Sequence, residues 1–138
     1  MAALWVFNEK NEVLIARRSK IKKHHPNLWG PSVAGSVEEG ETYQSNILKE
    51  ANEEIGLRLD TVTAGPKIRV SSIHEYFTQW FFAKVSSQAQ FTLQEGEVEE
   101  IKWIRVLDLE NLYSKQPELF LPSFTRAISV IKEYENQS

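Results

Sequence analysis

Three glutamates, Glu50, Glu53 and Glu54, stand at positions i, i+3 and i+4 of a segment with helix signals at both ends. On a helix that spacing puts all three carboxylates on one face, within a turn of one another. Like charges so placed destabilise a bare helix, so a counter-charge is expected among them. A hard divalent cation is the simplest one, because Mg²⁺ takes oxygen ligands and negative charge. A cation held by carboxylates points in turn to a substrate rich in phosphate oxygens. The plain alternative is a solvated, glutamate-rich helix face.

The stretch 35–57 around these glutamates resembles the signature of the Nudix hydrolase superfamily. That pattern is a Gly, five residues, a Glu, seven residues, then Arg-Glu-aliphatic-any-Glu-Glu-any-Gly-aliphatic. Gly35, Glu41, Glu50, Ala51, Glu53, Glu54, Gly56 and Leu57 fall in register, and Lys49 stands where the pattern has Arg. With each residue type near 7% usage, the fixed Gly and Glu positions match by chance at a given start with a probability on the order of 10⁻⁷. A solvated acidic face does not explain Gly35, Glu41 and Gly56 in register.

The resemblance implies roles as well as a fold. Glu50, Glu53 and Glu54 become metal ligands, helped by the backbone carbonyl of Gly35, with Mg²⁺ or Mn²⁺ as the ion. Glu53 and Glu50 are the expected catalytic acids. Lys49 takes the place of the Arg that orients one of them; it keeps the charge but loses the planar fork. A further acid from outside the signature is expected from the cluster Glu95, Glu97, Glu99 and Glu100, with Glu97 preferred and Glu100 next. Glu41 precedes the helix and is expected to brace it.

The rest of the chain offers cations and rings. No acid occurs in 13–37, yet Arg17, Arg18, Lys20, Lys22, Lys23, His24 and His25 lie there. A basic segment leading into an acidic one suits a diphosphate gripped from two sides. Arg17 and Arg18 are candidate phosphate contacts, of which strand alternation would aim only one into a cleft. Trp29 is a candidate substrate contact, with His74, Tyr76 and Trp80 as further rings. Histidines at metal-pair spacing are absent, which argues against a zinc site.

Composition bounds the alternatives. The chain has 138 residues, 41% hydrophobic and 25% charged, with a net charge of −3 and no cysteine. That suits one domain over residues 1–138 and excludes disulfides, zinc–thiolate sites and a thiol nucleophile. No apolar run reaches the length of a membrane span, and the chain enters directly into a strand-like segment. The cytoplasm is the simplest compartment on those grounds. Acidity and the lack of an aromatic-interleaved basic patch disfavour nucleic acid. A homodimer is compatible with the sequence.

The elements that must position these residues follow from periodicity. Strands are expected at 3–7 and 12–16 around a polar turn, then a loop over 19–30 and a short strand at 32–34. A helix is expected at 43–55, with Thr42 as its cap and Gly56 as its stop. Strands at 67–73, 76–85 and 99–105 follow, then a short helix at 107–113. Phe124, Ala127, Ile128, Ile131 and Tyr134 form the stripe of a last helix. The 76–85 strand is apolar on both faces, as in a sheet covered on both sides. An α/β sandwich results, and the resemblance implies the same: a mixed sheet between helices, with a loop–helix–loop metal site.

Segments 14–19, 26–35 and 120–124 look like the Nudix branch related to isopentenyl diphosphate isomerase. Those isomerases carry Cys just before the signature Gly and His just after it; here Ala34 and Ser36 stand there. Neither can supply the acid or base an isomerisation needs. The expected activity is therefore metal-dependent hydrolysis of a nucleoside diphosphate-linked or similar small organic diphosphate. A non-catalytic nucleotide-binding module, suggested by Lys49, is the rival.

Overall fold

The computed structural model describes residues 1–70, 76–122 and 124–137. Strand β1 (Ala2–Phe7) is buried along its whole length and runs through the middle of the molecule. The other strands are β2 (Glu12–Arg18), β3 (Trp29–Gly30), β4 (Val33–Gly35), β5 (Thr63–Val70), β6 (Tyr76–Lys84) and β7 (Val98–Arg105). Helices α1 (Tyr43–Ile55), α2 (Val106–Lys115) and α3 (Phe124–Gln137) complete the described elements, with a short 3₁₀ turn at Pro117–Leu119.

Alternation along β1 divides the core. Ala2, Leu4 and Val6 meet Ile47, Ala51 and Ile55 of α1 on one face. Ala3, Trp5 and Phe7 meet Leu109 of α2 and Phe124, Ala127 and Ile131 of α3 on the other. A strand buried on both faces needs helices on both sides, so the architecture is the expected α/β/α sandwich around a mixed sheet. Trp5 anchors one layer: its indole donates to the Ala127 carbonyl at 2.9 Å and its ring stacks on Trp80. Burying a side chain such as fully enclosed Ile47 or Phe124 contributes roughly 1.5–3 kcal/mol each.

The sheet contains a wedge. β1 pairs in parallel with β6 along one edge, from Ala2↔Gln79 to Phe7↔Lys84. Its other edge meets β2 only at Phe7↔Val13, after which the two strands part. The gap is filled by the next segment of chain. β3 pairs with Ala16 and Arg17 of β2, and β4 pairs with Ala2, Ala3 and Leu4 of β1. Between β3 and β4, the buried Ser32 hydroxyl accepts from the Val6 amide at 2.9 Å and donates to the Leu14 carbonyl at 2.6 Å. One side chain thus satisfies a backbone group on each diverging strand, where no ladder partner exists.

Most element positions agree with the sequence reading, and the differences have local causes. α1 spans 43–55 as expected; Thr42 caps it through the Ser45 amide, and Gly56 ends it at φ 68°. A side chain at Gly56 would be strained by that positive φ and would lie 2.9 Å from Thr92. β5 begins at Thr63 rather than 67, with Pro66 inside it. That is tolerated because β5 is an edge strand and its register shifts between Ala64 and Lys67. The expected strand end at 71–73, and His74, lie outside the described residues. β3 was expected as loop; its two residues are too short to show a period. Among the described residues no helix is long and apolar enough to cross a membrane.

Ser32→Ala leaves the Val6 amide and the Leu14 carbonyl buried without their partner. We expect a loss of about 1–3 kcal/mol of stability, read as a lower urea midpoint at unchanged m-value. An unshifted midpoint would show that the wedge closes without this hydroxyl.

Candidate functional site

The backbone first explains how distant acids meet. The C-terminal turn of α1 is stitched to the segment before β7, where Thr92 and Gln94 donate backbone hydrogen bonds to the Ile55 and Glu54 carbonyls. The chain then reverses around Gly96 (φ 82°), with the Glu97 and Val98 amides both donating to the Gln94 carbonyl. This turn carries the Glu97 side chain toward Glu54. The Glu97 carbonyl accepts from the Ser19 amide, which ties the basic loop to the same place. Lys22 on that loop forms an ion pair with Glu97.

A cavity of about 80 Å³ opens where these pieces join, at the wide end of the wedge. Glu54, Glu97, Arg17, Arg18 and Lys22 all line it, and Lys22 meets Glu97 there as an ion pair. Burial first, then a hydrogen bond and like charge from Glu50, and the charge of Glu97, push the Glu54 carboxyl up to about 9. Lys22 acts in the opposite direction and does not offset them. The position adds to the cost, because the carbonyl end of a helix disfavours negative charge and α1 has no basic residue in its last turn.

The fit to a divalent cation can be judged from these groups. Glu54 feels the like charge of both Glu50 and Glu97, and the excess negative charge there is what a cation relieves. Among the described residues no three acids or imidazoles already enclose a metal position. Mg²⁺ does not require that, since it binds through one or two carboxylates and keeps waters or phosphate oxygens elsewhere. A further oxygen, the buried Oδ1 of Asn46, accepts no hydrogen bond among the described residues. It would lie 3.0 Å from a Cβ built on Gly35. The donor set fits a hard cation.

The loop before α1 is braced by side chains. Glu41 accepts from the Glu38 amide at 2.9 Å and from Asn46 Nδ2 at 3.2 Å, and its other oxygen lies 2.8 Å from Lys49 Nζ. The hydrogen bond between them raises the Lys49 pKa and lowers that of Glu41. Lys49 also stands 3.9 Å from Glu50. Gly35 has a steric reason to be glycine: an added Cβ would fall 2.6 Å from Glu50 Cγ.

The other candidates are placed unevenly. Glu53 is exposed on the same turn and does not line the cavity. Arg17 donates to Glu100 and Asn27 and lies 5.8 Å from the Trp29 ring. Trp29 packs against the α3-side core and is not on the cavity wall. Arg18 is held by two hydrogen bonds to the His24 carbonyl. Arg17 and Arg18 both border the cavity, with Arg17 turned to Glu100 and Asn27 and Arg18 to the His24 carbonyl; the β2–β7 register shifts beside them, where β7 carries the extra residue Glu99. Glu100 is engaged by Arg17, and Glu99 accepts from the Lys20 amide. Lys22 and Asn46 were not singled out from the sequence. Their signals were faint: one Lys among several in a loop, and a polar residue on the buried side of a helix.

Comparisons with known proteins bear on family and fold. The model of the NUDIX domain matches residues 1–124. An uncharacterised Nudix hydrolase of Listeria monocytogenes is 34% identical over 119 residues, covering 86% of this chain and 69% of that protein. An isopentenyl-diphosphate Delta-isomerase of Klebsiella pneumoniae is 26% identical over 125 residues, covering 86% of this chain and 67% of its own length. Among solved structures, the NUDIX domain of Shewanella oneidensis NrtR complexed with ADP ribose superposes at a TM-score of 0.74. It shares 18% identity and covers 96% of this chain and 85% of that one.

Glu54→Gln removes a half-buried acid from a crowded acidic place while keeping its shape. In chelator we expect the variant to melt roughly 2–6 °C above the parent. Added Mg²⁺ should raise its melting temperature less than the parent's. A lower melting temperature in chelator, or an equal Mg²⁺ response, would count against the cation reading.

Proposed function

This chain belongs to the Nudix family, and on that premise we propose that it hydrolyses a diphosphate linkage in a small organic molecule. Nucleoside diphosphate-linked compounds and similar organic diphosphates are the substrate class. The observation that carries the proposal is the meeting of Glu54 with Glu50 and Glu97 at a small cavity that Arg18 and Lys22 also line. Acids for a cation and bases for phosphate oxygens border the same space.

The family characteristically uses divalent metals. Here Glu50, Glu54 and Glu97 would hold Mg²⁺ or Mn²⁺, with Glu53 and the Gly35 carbonyl as further candidate ligands from the signature. The ion, when bound, neutralises phosphate oxygens and makes water a better nucleophile near neutral pH. The chain's own part is positioning and charge. Arg18 and Lys22 bring positive charge to the cavity that would stabilise charge on the phosphate being attacked. Glu50 and Glu53 are the proposed catalytic acids, and Lys49 with Glu41 holds Glu50 in its place against Gly35. The ADP ribose bound by the Shewanella domain is itself an organic diphosphate.

Incubation with a panel of nucleotide diphosphates and other organic diphosphates, with Mg²⁺ or Mn²⁺, tests the proposal. Cleavage should incorporate ¹⁸O from labelled water into a phosphate product and stop in chelator. Absence of cleavage across the panel, together with nucleotide binding, would replace the enzyme by the binding module. Glu53→Gln should abolish hydrolysis with the fold intact; undiminished turnover would remove Glu53 from the site.

Lys49 decides between the two readings. Its ammonium reaches Glu41 and Glu50 as a point charge, so Lys49→Arg should keep or raise kcat by restoring a bidentate fork. Lys49→Ala should lower kcat about ten- to hundredfold, with a smaller change in KM, because the loss falls on alignment. Equal kcat in both variants and the parent would make Lys49 a surface residue.

No isomerase activity on isopentenyl diphosphate is expected, because Ala34 and Ser36 carry neither a thiol nor an imidazole. Proton exchange into an allylic product by the purified chain would overturn this.

A further inference from the structure

Beside the acidic cavity lies a larger groove of about 390 Å³, which shares Arg18, Pro31, Ala34 and Leu121 with it. Its size is that of a small-molecule site. The walls are apolar: Ile68 and Val70 from β5, Trp80 from β6, and Phe124 and Ala127 from the first turn of α3. They are also preformed. Trp80 and Phe124 both pack on the fully buried Trp5 ring, whose indole is hydrogen-bonded to Ala127.

The charged side chains lining the groove are Arg18 and Arg126, and no carboxylate or carboxamide lines it among the described residues. Arg18 sits where cavity and groove join, pinned by the His24 carbonyl, and pairs with no carboxylate among the described residues. A guanidinium at that junction is suited to meet a phosphate lying between the two spaces.

We infer that this groove seats the organic arm of the diphosphate substrate and selects a hydrocarbon arm, alkyl or aryl, over a nucleobase. The inference rests on the hydrolase reading of the acidic cavity and adds the class of its substrate. A nucleobase edge carries donors as well as acceptors, and a buried donor without an acceptor is costly. Side-chain acceptors on the described wall are few, the Tyr76 and Thr78 hydroxyls and the His25 ring, and the two arginines supply donors alone. A hydrocarbon arm asks for no partner. It gains from each methylene buried against Ile68, Val70 and the two rings.

Calorimetry of the intact chain with Mg²⁺ tests this without turnover. The probes are alkyl monoesters of methylenebisphosphonate with chains of increasing length, and the methylene-bridged analogue of ADP. Kd should fall about three- to fourfold for each added methylene until the groove is full. The ADP analogue should bind at least about tenfold more weakly than the best alkyl ester, as expected where polar edges go unpaired. Thr78→Trp, which fills the groove from β6, should flatten the series and leave the methyl ester unchanged. If that variant does not fold, the series on the parent decides. A flat series in which every probe binds retains the diphosphate site and overturns the groove assignment, as does tighter binding of the ADP analogue. Failure of every probe to bind, the methyl ester included, overturns both readings.

Discussion

Two central strands that begin as a pair and then part create the space on which the rest of this molecule depends. β1 and β2 touch at Phe7 and Val13 and diverge from there. Backbone groups along the opening need partners, because an unpaired buried amide or carbonyl is costly. β3, β4 and the Ser32 hydroxyl supply them. The same insertion delivers Gly35 to the flank of α1, where Glu50 passes too close for any side chain. It also leaves the cavity at the wide end of the wedge, lined by Arg17 and Arg18 at the end of β2.

Against that frame of satisfied hydrogen bonds, the C-terminal turn of α1 is electrostatically uncomfortable. Glu54 lies where the helix dipole, burial, Glu50 and Glu97 all disfavour its charged form. The fold nevertheless holds Glu97 there with a glycine turn and three backbone hydrogen bonds to and from segment 92–98. Strain of this kind, stored by an otherwise well-capped helix, is usual at sites built for a cation or a proton. The ion pairs Lys49–Glu41 and Lys22–Glu97 sit at the rim of the cluster and relieve only part of it.

The cavity and the groove divide labour by composition. Acids and bases converge in the smaller space, while rings and aliphatic side chains line the larger one. Arg18, at the end of β2 and held by the His24 carbonyl, borders both.

Local rules made much of this legible in the residues themselves. The spacing of Glu50, Glu53 and Glu54, the Thr42 cap and the Gly56 stop are short-range features, and they defined α1 and its acidic face. The apolar stripe of 124–134 and the apolar run of 76–85 likewise announced a sheet with helices on both sides. Pairings between distant segments were not legible, because periodicity carries no record of which strand lies beside which. Tertiary structure brings Glu97 to the cavity beside Glu54, while Glu99 accepts from the Lys20 amide and Glu100 pairs with Arg17. It decided that Glu54 is turned inward while Glu53 stays exposed, and that Lys22 alone of the loop lysines lines the cavity with Arg17 and Arg18. Ser32 and Asn46 gained their roles in the same way. A buried polar side chain acquires meaning only from the backbone groups that folding strands around it.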